Sequence, residues 1–258
     1  MRNQRVYRQF AWYYHAGYYP RFSRRVARLM PRVFRRFRLK PETVLDVACG
    51  EGTFACMMAS RGLQVTGLDQ SPAMLELARK RAIRSQVHVR LVRGDMRDLG
   101  FESEFDIVTC WYDAINYILR IDELRSMFAG VRRALRPGGL FLMDMNTRYG
   151  FATGWARSAC CVQQDKPNRL ELHRPAFNAK TGIASLRITG FRREGPLWKR
   201  MDEVHFERAY TVAAVRRYLV GAGLSVLGCF DSLDRRTPAM SDSPCVWFVA
   251  RKRTTCDE

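Results

Sequence analysis

A glycine-rich turn near the start of the chain limits most strongly what this sequence can fold into. An apolar, β-branched run that begins at Val44 leads into Gly50-Glu-Gly52, and residues typical of a helix follow. Glycine lets the backbone approach a ligand closely, and the first N–H groups of the helix point toward that ligand. The turn therefore predicts a buried strand, a ligand-binding bend and a helix, in that order.

The segment from residue 41 to residue 147 repeats this alternation of short apolar runs and helical stretches. Such alternation is typical of βαβ units and predicts a doubly wound, mostly parallel sheet of the α/β class. The predicted strands lie near residues 43–47, 64–68, 87–92, 105–110 and 140–145, and the predicted helices near residues 52–60, 71–84 and 122–135.

Two further segments complete the predicted fold. Residues 148–209 alternate between polar and apolar side chains and are rich in turns, which predicts an antiparallel β insertion after the fifth strand. Residues 210–258 then supply a helix and two strands that complete the sheet. The expected architecture is a seven-stranded, Rossmann-like sheet with a helical cap formed by residues 1–40, a ligand-binding core over residues 41–147, and the insertion above the site.

Residues 1–40 concentrate positive charge. The chain has 44 Lys+Arg and 25 Asp+Glu, and twelve of the basic residues but none of the acidic ones lie in this segment. The segment is either an arm that binds a polyanion, such as RNA or an anionic membrane, or a solvated helix face. Its apolar residues from Pro20 to Phe37 have helical spacing, and Pro31, which costs about 3 kcal/mol inside a helix, is expected to begin a second helix.

Composition excludes several classes of protein. Hydrophobic residues make up 47% of the chain, which excludes an intrinsically disordered protein. No apolar run reaches the roughly 18 to 20 residues of a transmembrane helix, so a cytoplasmic location is expected. The eight cysteines form no C-x-x-C motif and do not pair with the four histidines at ligand spacing, so no metal is expected.

Acidic residues at or just after the ends of three predicted strands point to one kind of ligand. Asp46, just before the glycine turn, would repel a pyrophosphate but favours a cation such as S-adenosylmethionine (SAM), which carries an ammonium and a sulfonium group. Asp69 is placed to accept hydrogen bonds from two ribose hydroxyls, unless it only caps the next helix. Asp95 would accept a hydrogen bond from the adenine amino group, and Met96 would contact the adenine ring.

With these motifs in place, the chain resembles a class I SAM-dependent methyltransferase. The matching elements are residues 45–53, 67–75, 94–99, 105–108 and 135–140, which occur in the family's order and spacing. Residues 110–118, 144–147 and 202–205 are further similar to a group of small-molecule methyltransferases that includes deoxyamino-sugar N-methyltransferases. In that group a helical cap and an insertion enclose the acceptor, and the resemblance implies the same arrangement here.

The resemblance also implies contacts for each ligand. The residues expected around the cofactor are Asp46, Gly50, Gly52, Asp69, Gln70, Met74, Asp95, Met96, Cys110 and Trp111. Asp113, Asn116 and Tyr18 are expected at the acceptor, although helix capping or core packing explains them equally well. His205 in the insertion is the first candidate base because histidine exchanges protons near neutral pH, and a structural role in its strand is the alternative. Tyr14, in an aromatic lid, is the second candidate catalytic residue.

The predicted reaction is in-line transfer of a methyl group from SAM to nitrogen or oxygen of a small-molecule acceptor. Positioning alone lowers such a barrier by roughly 7 to 11 kcal/mol, so a catalytic base is dispensable. The alternatives are an RNA methyltransferase that uses the basic segment, and a non-catalytic SAM-binding protein recruited to membranes. Two nucleic-acid chemistries are disfavoured, because residues 110–113 lack an Asn/Asp-Pro-Pro-aromatic motif and Cys245 lies too late to match a cytosine-methylating nucleophile.

Overall fold

A seven-stranded sheet lies at the centre of the computed structural model, which describes residues 6–155, 159–233 and 237–253. Arg2 and Arg5 of the basic segment lie outside the described residues. The strands are β1 (Thr43–Val47), β2 (Gln64–Asp69), β3 (Arg90–Arg93), β4 (Phe105–Cys110), β5 (Leu135–Asn146), β6 (Cys161–Lys166), β7 (Arg169–Asn178), β8 (Ile183–Glu194), β9 (Leu197–Arg208), β10 (Leu224–Phe230) and β11 (Cys245–Lys252). The helices are α1 (Phe10–Ala16), α2 (Pro20–Arg36), α3 (Thr53–Ala59), α4 (Pro72–Arg84), α5 (Ile121–Ala134), α6 (Arg148–Thr153) and α7 (Val212–Gly221), with a 3₁₀ turn at Ala114–Tyr117.

The order of the strands establishes the fold class. The central sheet has the order β3-β2-β1-β4-β5-β11-β10, in which β11 runs antiparallel to the other six strands. Apolar side chains of α5 and α7 pack on one face, and those of α2 and α3 pack on the other. The predicted doubly wound, mostly parallel sheet of seven strands is confirmed.

A separate antiparallel sheet follows β5, with the order β6-β7-β8-β9. This confirms the antiparallel insertion predicted from the alternating, turn-rich sequence. Along β9, His205 and Glu207 are buried whereas Val204 is 41% exposed, as expected when successive side chains point to opposite faces. The buried face of β9 therefore carries the polar side chains Glu203, His205 and Glu207.

The prediction that Pro31 begins a second helix is wrong, because α2 continues through it. Proline has no N–H to donate to the carbonyl four residues earlier, which is that of Ala27. A side-chain N–H of Arg61 donates to this carbonyl instead, so the backbone oxygen keeps a partner. No helix of the described residues, α2 included, is long and apolar enough to cross a membrane.

Strand β3 is shorter than predicted, because it begins at Arg90 rather than at residue 87. It is the edge strand of the sheet that the described residues form, and β2 pairs with it from Thr66 to Asp69. His88, expected inside the strand, lies before it and is exposed. The alternation of valines around His88 does not show where the pairing of an edge strand with its neighbour begins.

Two carboxylates fasten the cap over the sheet. Glu203 on β9 accepts hydrogen bonds from the backbone N–H groups of residues 7–10 at 2.7–3.1 Å, where α1 begins. Glu51, in the glycine turn, lies 3.1 Å from Nδ1 of His15 in the cap and also contacts Arg81 of α4. The cap is thus bound both to the insertion and to the predicted ligand-binding turn.

Candidate active site

A cavity lies where the carboxyl ends of β1, β2 and β4 meet beneath the cap. The space between its walls, together with the open solvent at its mouth, is about 820 Å³. The cap contributes Tyr7, Tyr14 and Ser23 to the wall. The residues predicted from the sequence that line the cavity are Asp46, Gly50, Asp69, Gln70, Met74, Met96, Trp111 and Tyr14. Most of the residues predicted around one ligand therefore face one space.

Asp69, the last residue of β2, holds the glycine turn in shape and also faces the cavity. Its Oδ2 accepts the N–H of Gly50 at 2.8 Å, and its Oδ1 accepts the N–H of Ser71 at 2.8 Å. Burial raises the pKa of Asp69, although these backbone N–H groups favour the ionised form. Each oxygen keeps a further acceptor position, so the carboxylate can also bind ligand hydroxyls.

A second buried carboxylate, Asp46 on β1, lines the same cavity and is only 2% exposed. The hydroxyl of Thr109 donates a hydrogen bond to its Oδ1 at 2.9 Å. Burial raises the pKa of Asp46 to about 7; the hydrogen bond from Thr109 opposes this rise and the charge of Asp69 adds to it. A cation in the cavity would favour the ionised form, so Asp46 suits a positively charged ligand.

Trp111 supplies an unused hydrogen-bond donor at the cavity wall. Its ring packs against those of Phe54 and Trp247, with centroids 5.7 and 5.6 Å away. Its Nε1–H is buried and has no partner among the described residues. Leaving such a group unpaired costs roughly 1 to 3 kcal/mol, so an acceptor on a ligand would stabilise this wall. The donor and the two carboxylates together fit a cofactor with cationic, hydroxyl and acceptor groups.

Three residues predicted at the cofactor do not line the cavity, namely Gly52, Asp95 and Cys110. Gly52 precedes α3 with φ of +77°, and a Cβ there would lie 2.9 Å from the Cβ of Ala78, so this glycine permits helix packing. Asp95 is engaged by Arg97, whose guanidinium donates to both carboxylate oxygens at 2.5–3.0 Å. Cys110 is fully buried in the apolar core.

The three residues predicted at the acceptor also lie outside the wall. The side-chain amide of Asn116 forms hydrogen bonds with the backbone. Its Nδ2 donates to the carbonyls of Asn146 and Arg208 at 3.0 and 2.8 Å, and its Oδ1 accepts the N–H of Asn146 at 3.0 Å. Asp113 accepts a hydrogen bond from the Asn146 side chain. Tyr18 is 39% exposed. Asn116 and Asp113 shape the turn after β4 instead of facing the cavity.

The two candidate catalytic residues differ in position. Tyr14 lines the cavity, whereas His205 is 1% exposed and does not. The Nδ1 of His205 lies 2.9 Å from the hydroxyl of Tyr117, and Tyr117 does line the cavity. His205 thus contacts the cavity wall through Tyr117 rather than lining the cavity itself.

Sequence reasoning missed much of the aromatic wall, namely Tyr7, Tyr112 and Tyr117. Tyr112 has a φ of +61°, a left-handed conformation that is unusual for a residue with a large side chain. Asp144 stabilises this bend, because its carboxylate accepts the N–H of Tyr112 at 2.6 Å and that of Asp113 at 3.1 Å. The density of tyrosines before residue 20 signalled an aromatic lid, but not which rings would face inward.

The charge of the cavity wall contrasts with that of the chain. The chain has a formal net charge of +19, yet none of the described residues that line the cavity is Lys, Arg or His. A phosphate group would find no cationic side chain in this wall. In the part of the chain that the structure describes, no group of three His, Cys, Asp or Glu residues is placed to hold a metal ion.

Several known proteins that resemble this chain are named as methyltransferases. A family model described as a methyltransferase domain matches residues 44–139. A protein from Geobacillus sp. (strain WCH70) that is named as a methyltransferase is 29% identical over 210 residues, which is 81% of this chain and 84% of the relative. The dTDP-3-amino-3,6-dideoxy-alpha-D-glucopyranose N,N-dimethyltransferase of Streptomyces fradiae is 28% identical over 85% of this chain and 87% of its own. The crystal structure of a SAM-dependent methyltransferase from Clostridium acetobutylicum has the same fold, with a TM-score of 0.81 and 24% identity over 88% of this chain and 91% of that chain.

Proposed function

We propose that the chain methylates the amino nitrogen of a small molecule, because residues 44–139 match a family model described as a methyltransferase domain. The predictions of a methyltransferase and of SAM as its cofactor are confirmed by the family match and the shared fold. The acceptor and its reacting atom are the proposal. The observation that carries it is the cavity wall, which combines aromatic rings and two carboxylates with no cationic side chain among its described residues.

In this proposal the cofactor lies along the ends of β1 and β2. Asp69 accepts hydrogen bonds from its ribose hydroxyls, Asp46 lies near its cationic end, and Met96 contacts its adenine ring. When bound, the cofactor supplies a methyl group that is activated by its positive sulfur. The remaining task of the chain is to orient the acceptor in line with that methyl group and to exclude water.

The tyrosines of the wall favour a nitrogen acceptor. A protonated amine is attracted to the faces of tyrosine rings and donates hydrogen bonds to their hydroxyls. Tyr7, Tyr14, Tyr112 and Tyr117 offer such rings on one side of the cavity. The Streptomyces fradiae relative is named for dimethylating an amino sugar, which supports nitrogen over oxygen.

The direct test is calorimetry with SAM, followed by measurement of S-adenosylhomocysteine release with a panel of amino sugars, each offered free and as its dTDP derivative. Each amino sugar is matched by the same sugar with a hydroxyl in place of the amine. We expect one SAM per chain and methylation of amines only. Failure to bind SAM, or equal methylation of the hydroxyl controls, would contradict the proposal.

The exposed arginines of α2 favour a polyanion as an alternative partner, and RNA is the strongest such candidate. Phosphate groups, however, have no cationic side chain in the described cavity wall, so we do not place RNA at the site of methyl transfer. Methyl incorporation into RNA, with RNA affinity that falls steeply as salt is raised, would replace the small-molecule proposal. Vesicle binding without turnover of any amine would favour a membrane-recruited, non-catalytic protein.

The affinity for SAM should rise with pH, because Asp46 must be ionised to attract a cation. Because burial raises its pKa to about 7, binding at lower pH first requires loss of a proton. We expect SAM to bind about tenfold more weakly at about pH 5.5 than at about pH 7. The α-amino group of SAM loses its proton only at higher pH, so its charge stays the same over this range. Calorimetry across this range tests it. Asp46→Asn should bind SAM weakly with no such slope, and a wild-type affinity that is flat with pH would refute the role of Asp46.

A further inference from the structure

A hydrogen-bonded series of four side chains, Tyr7, Tyr117, His205 and Glu203, leads from the cavity into the insertion. The hydroxyls of Tyr7 and Tyr117, both on the cavity wall, are 3.0 Å apart. Tyr117 is 2.9 Å from Nδ1 of His205, whose Nε2 is 3.2 Å from Oε2 of Glu203. This series of hydrogen bonds thus joins the cap, the turn after β4 and strand β9, and it begins where an acceptor would lie.

The carboxylate of Glu203 determines which atoms donate in the hydrogen bonds of His205 and Tyr117. Burial by itself raises the pKa of Glu203, but hydrogen bonds from His205 and from the backbone N–H groups of Phe10 and Gln9 outweigh burial, so the pKa is lowered. Glu203 is therefore ionised at neutral pH and can only accept a hydrogen bond. In neutral His205, Nε2 then carries the hydrogen, and Nδ1 is left to accept the O–H of Tyr117.

We propose that the acceptor binds as a protonated amine and loses its proton through the Tyr117 hydroxyl to Nδ1 of His205. This deepens the proposed function and rests on it. One N–H bond of the ammonium breaks as its proton passes to the Tyr117 oxygen, and the O–H bond of Tyr117 breaks as its own proton passes to Nδ1. The nitrogen keeps the electron pair that it needs for methyl transfer, Tyr117 ends neutral, and the imidazolium of His205 is paired with Glu203.

The two protons must move together, because Tyr117 is not deprotonated before the reaction and so cannot accept a proton on its own. Burial raises its pKa well above the ordinary value, and the neighbouring Tyr7 adds to the rise, so a tyrosinate is disfavoured. In the concerted step the oxygen gives up one proton as it receives another. The positive charge comes to rest on His205 beside a carboxylate, an arrangement that stabilises an imidazolium.

The other ionisable groups packed around His205 leave this route open. Glu203 and Glu207 share its face of β9, Tyr117 approaches from the turn after β4, and Tyr7 approaches from the cap with its ring 5.0 Å from that of His205. Burial raises the pKa of Glu207, which favours its neutral form. Glu203 is then the anion that pairs with the histidine.

The first experiment uses NMR of the protein labelled with ¹⁵N-histidine, which is tractable because the chain has four histidines. We expect neutral His205 to carry hydrogen on Nε2, and Tyr117→Phe to shift the Nδ1 resonance of His205 selectively. Finding the hydrogen on Nδ1 would overturn the proton route whether or not any amine is methylated. The NMR result is therefore separate from the test of the proposed function.

The second experiment measures rates with the amino sugar that the panel shows to be methylated. Tyr117→Phe and His205→Gln should each lower kcat by about 10²-fold, with KM within about threefold of wild type. His88→Gln is the control, since it removes an exposed histidine outside the cavity wall, and it should keep the kcat of wild type. Wild-type kcat in Tyr117→Phe would overturn the proposal, and thermal melting shows that the variants are folded.

Discussion

Gly52→Ala should lower the free energy of unfolding by about 2 to 5 kcal/mol, whereas Gly50→Ala should lower it by about 1 to 2 kcal/mol. Both positions have positive φ, +77° and +56°, so each variant bears the strain of a left-handed alanine. Only at position 52 does a new Cβ also meet the protein, 2.9 Å from the Cβ of Ala78 on α4. The difference between the two variants measures the close contact of α3 with α4.

For cofactor binding we expect the opposite ranking, with Gly50→Ala having the larger effect and Gly52→Ala the smaller one. Gly50 lines the cavity, and a Cβ there meets no protein atom within 4 Å, so the added methyl group enters open space beside the turn. We expect Gly50→Ala to bind SAM at least about tenfold more weakly, and folded Gly52→Ala to stay within about threefold of wild type. Urea denaturation and calorimetry supply the two measurements.

Gly62→Ala is the matched control, since Gly62 has φ of +86° with no atom within 4 Å of a Cβ and lies outside the cavity wall. It should lose about 1 to 2 kcal/mol of stability and keep its affinity for SAM. Equal destabilisation at positions 50 and 52 would show that packing against Ala78 adds nothing.

The parts of the site that the sequence predicts are those held by local chain geometry. A strand that ends in a glycine turn, with Asp46 before it and Asp69 at the end of the neighbouring parallel strand, must bring these groups to one edge of the sheet. The structure places both carboxylates on the cavity wall. Ser71 was likewise predictable, and it caps α4 by accepting the N–H of Met74.

The parts that the sequence does not predict depend on contacts between distant segments. Tyr117 and His205 are 88 positions apart and meet only because β9 packs against the turn after β4. The continuous helix through Pro31 depends on Arg61, which supplies the missing hydrogen bond to the carbonyl of Ala27. Asp95 has the expected place after β3, but Arg97, two residues on, binds its carboxylate. In each case a single partner decided the outcome, and no local pattern identifies that partner.

Asp69→Ala should lower the affinity for SAM by about 1.5 to 3 kcal/mol, which is a factor of about 10 to 150. The carboxylate has two tasks in our proposal, namely to accept the ribose hydroxyls and to hold the N–H groups of Gly50 and Ser71. A change in SAM affinity alone does not separate these tasks, because a misplaced turn also weakens binding. A cofactor analogue that lacks one ribose hydroxyl separates them.

With wild-type protein, 2′-deoxy-SAM should bind more weakly than SAM because Asp69 loses one of its partners. With Asp69→Ala the two ligands should bind alike, since the acceptor for that hydroxyl is gone, and the non-additivity of the two changes reports the contact itself. Asp46→Asn is the matched control, because it removes the other buried carboxylate yet should leave the preference for SAM over its deoxy analogue intact. If Asp69→Ala weakens both ligands equally and the preference persists, Asp69 acts on the cofactor only by shaping the turn at Gly50.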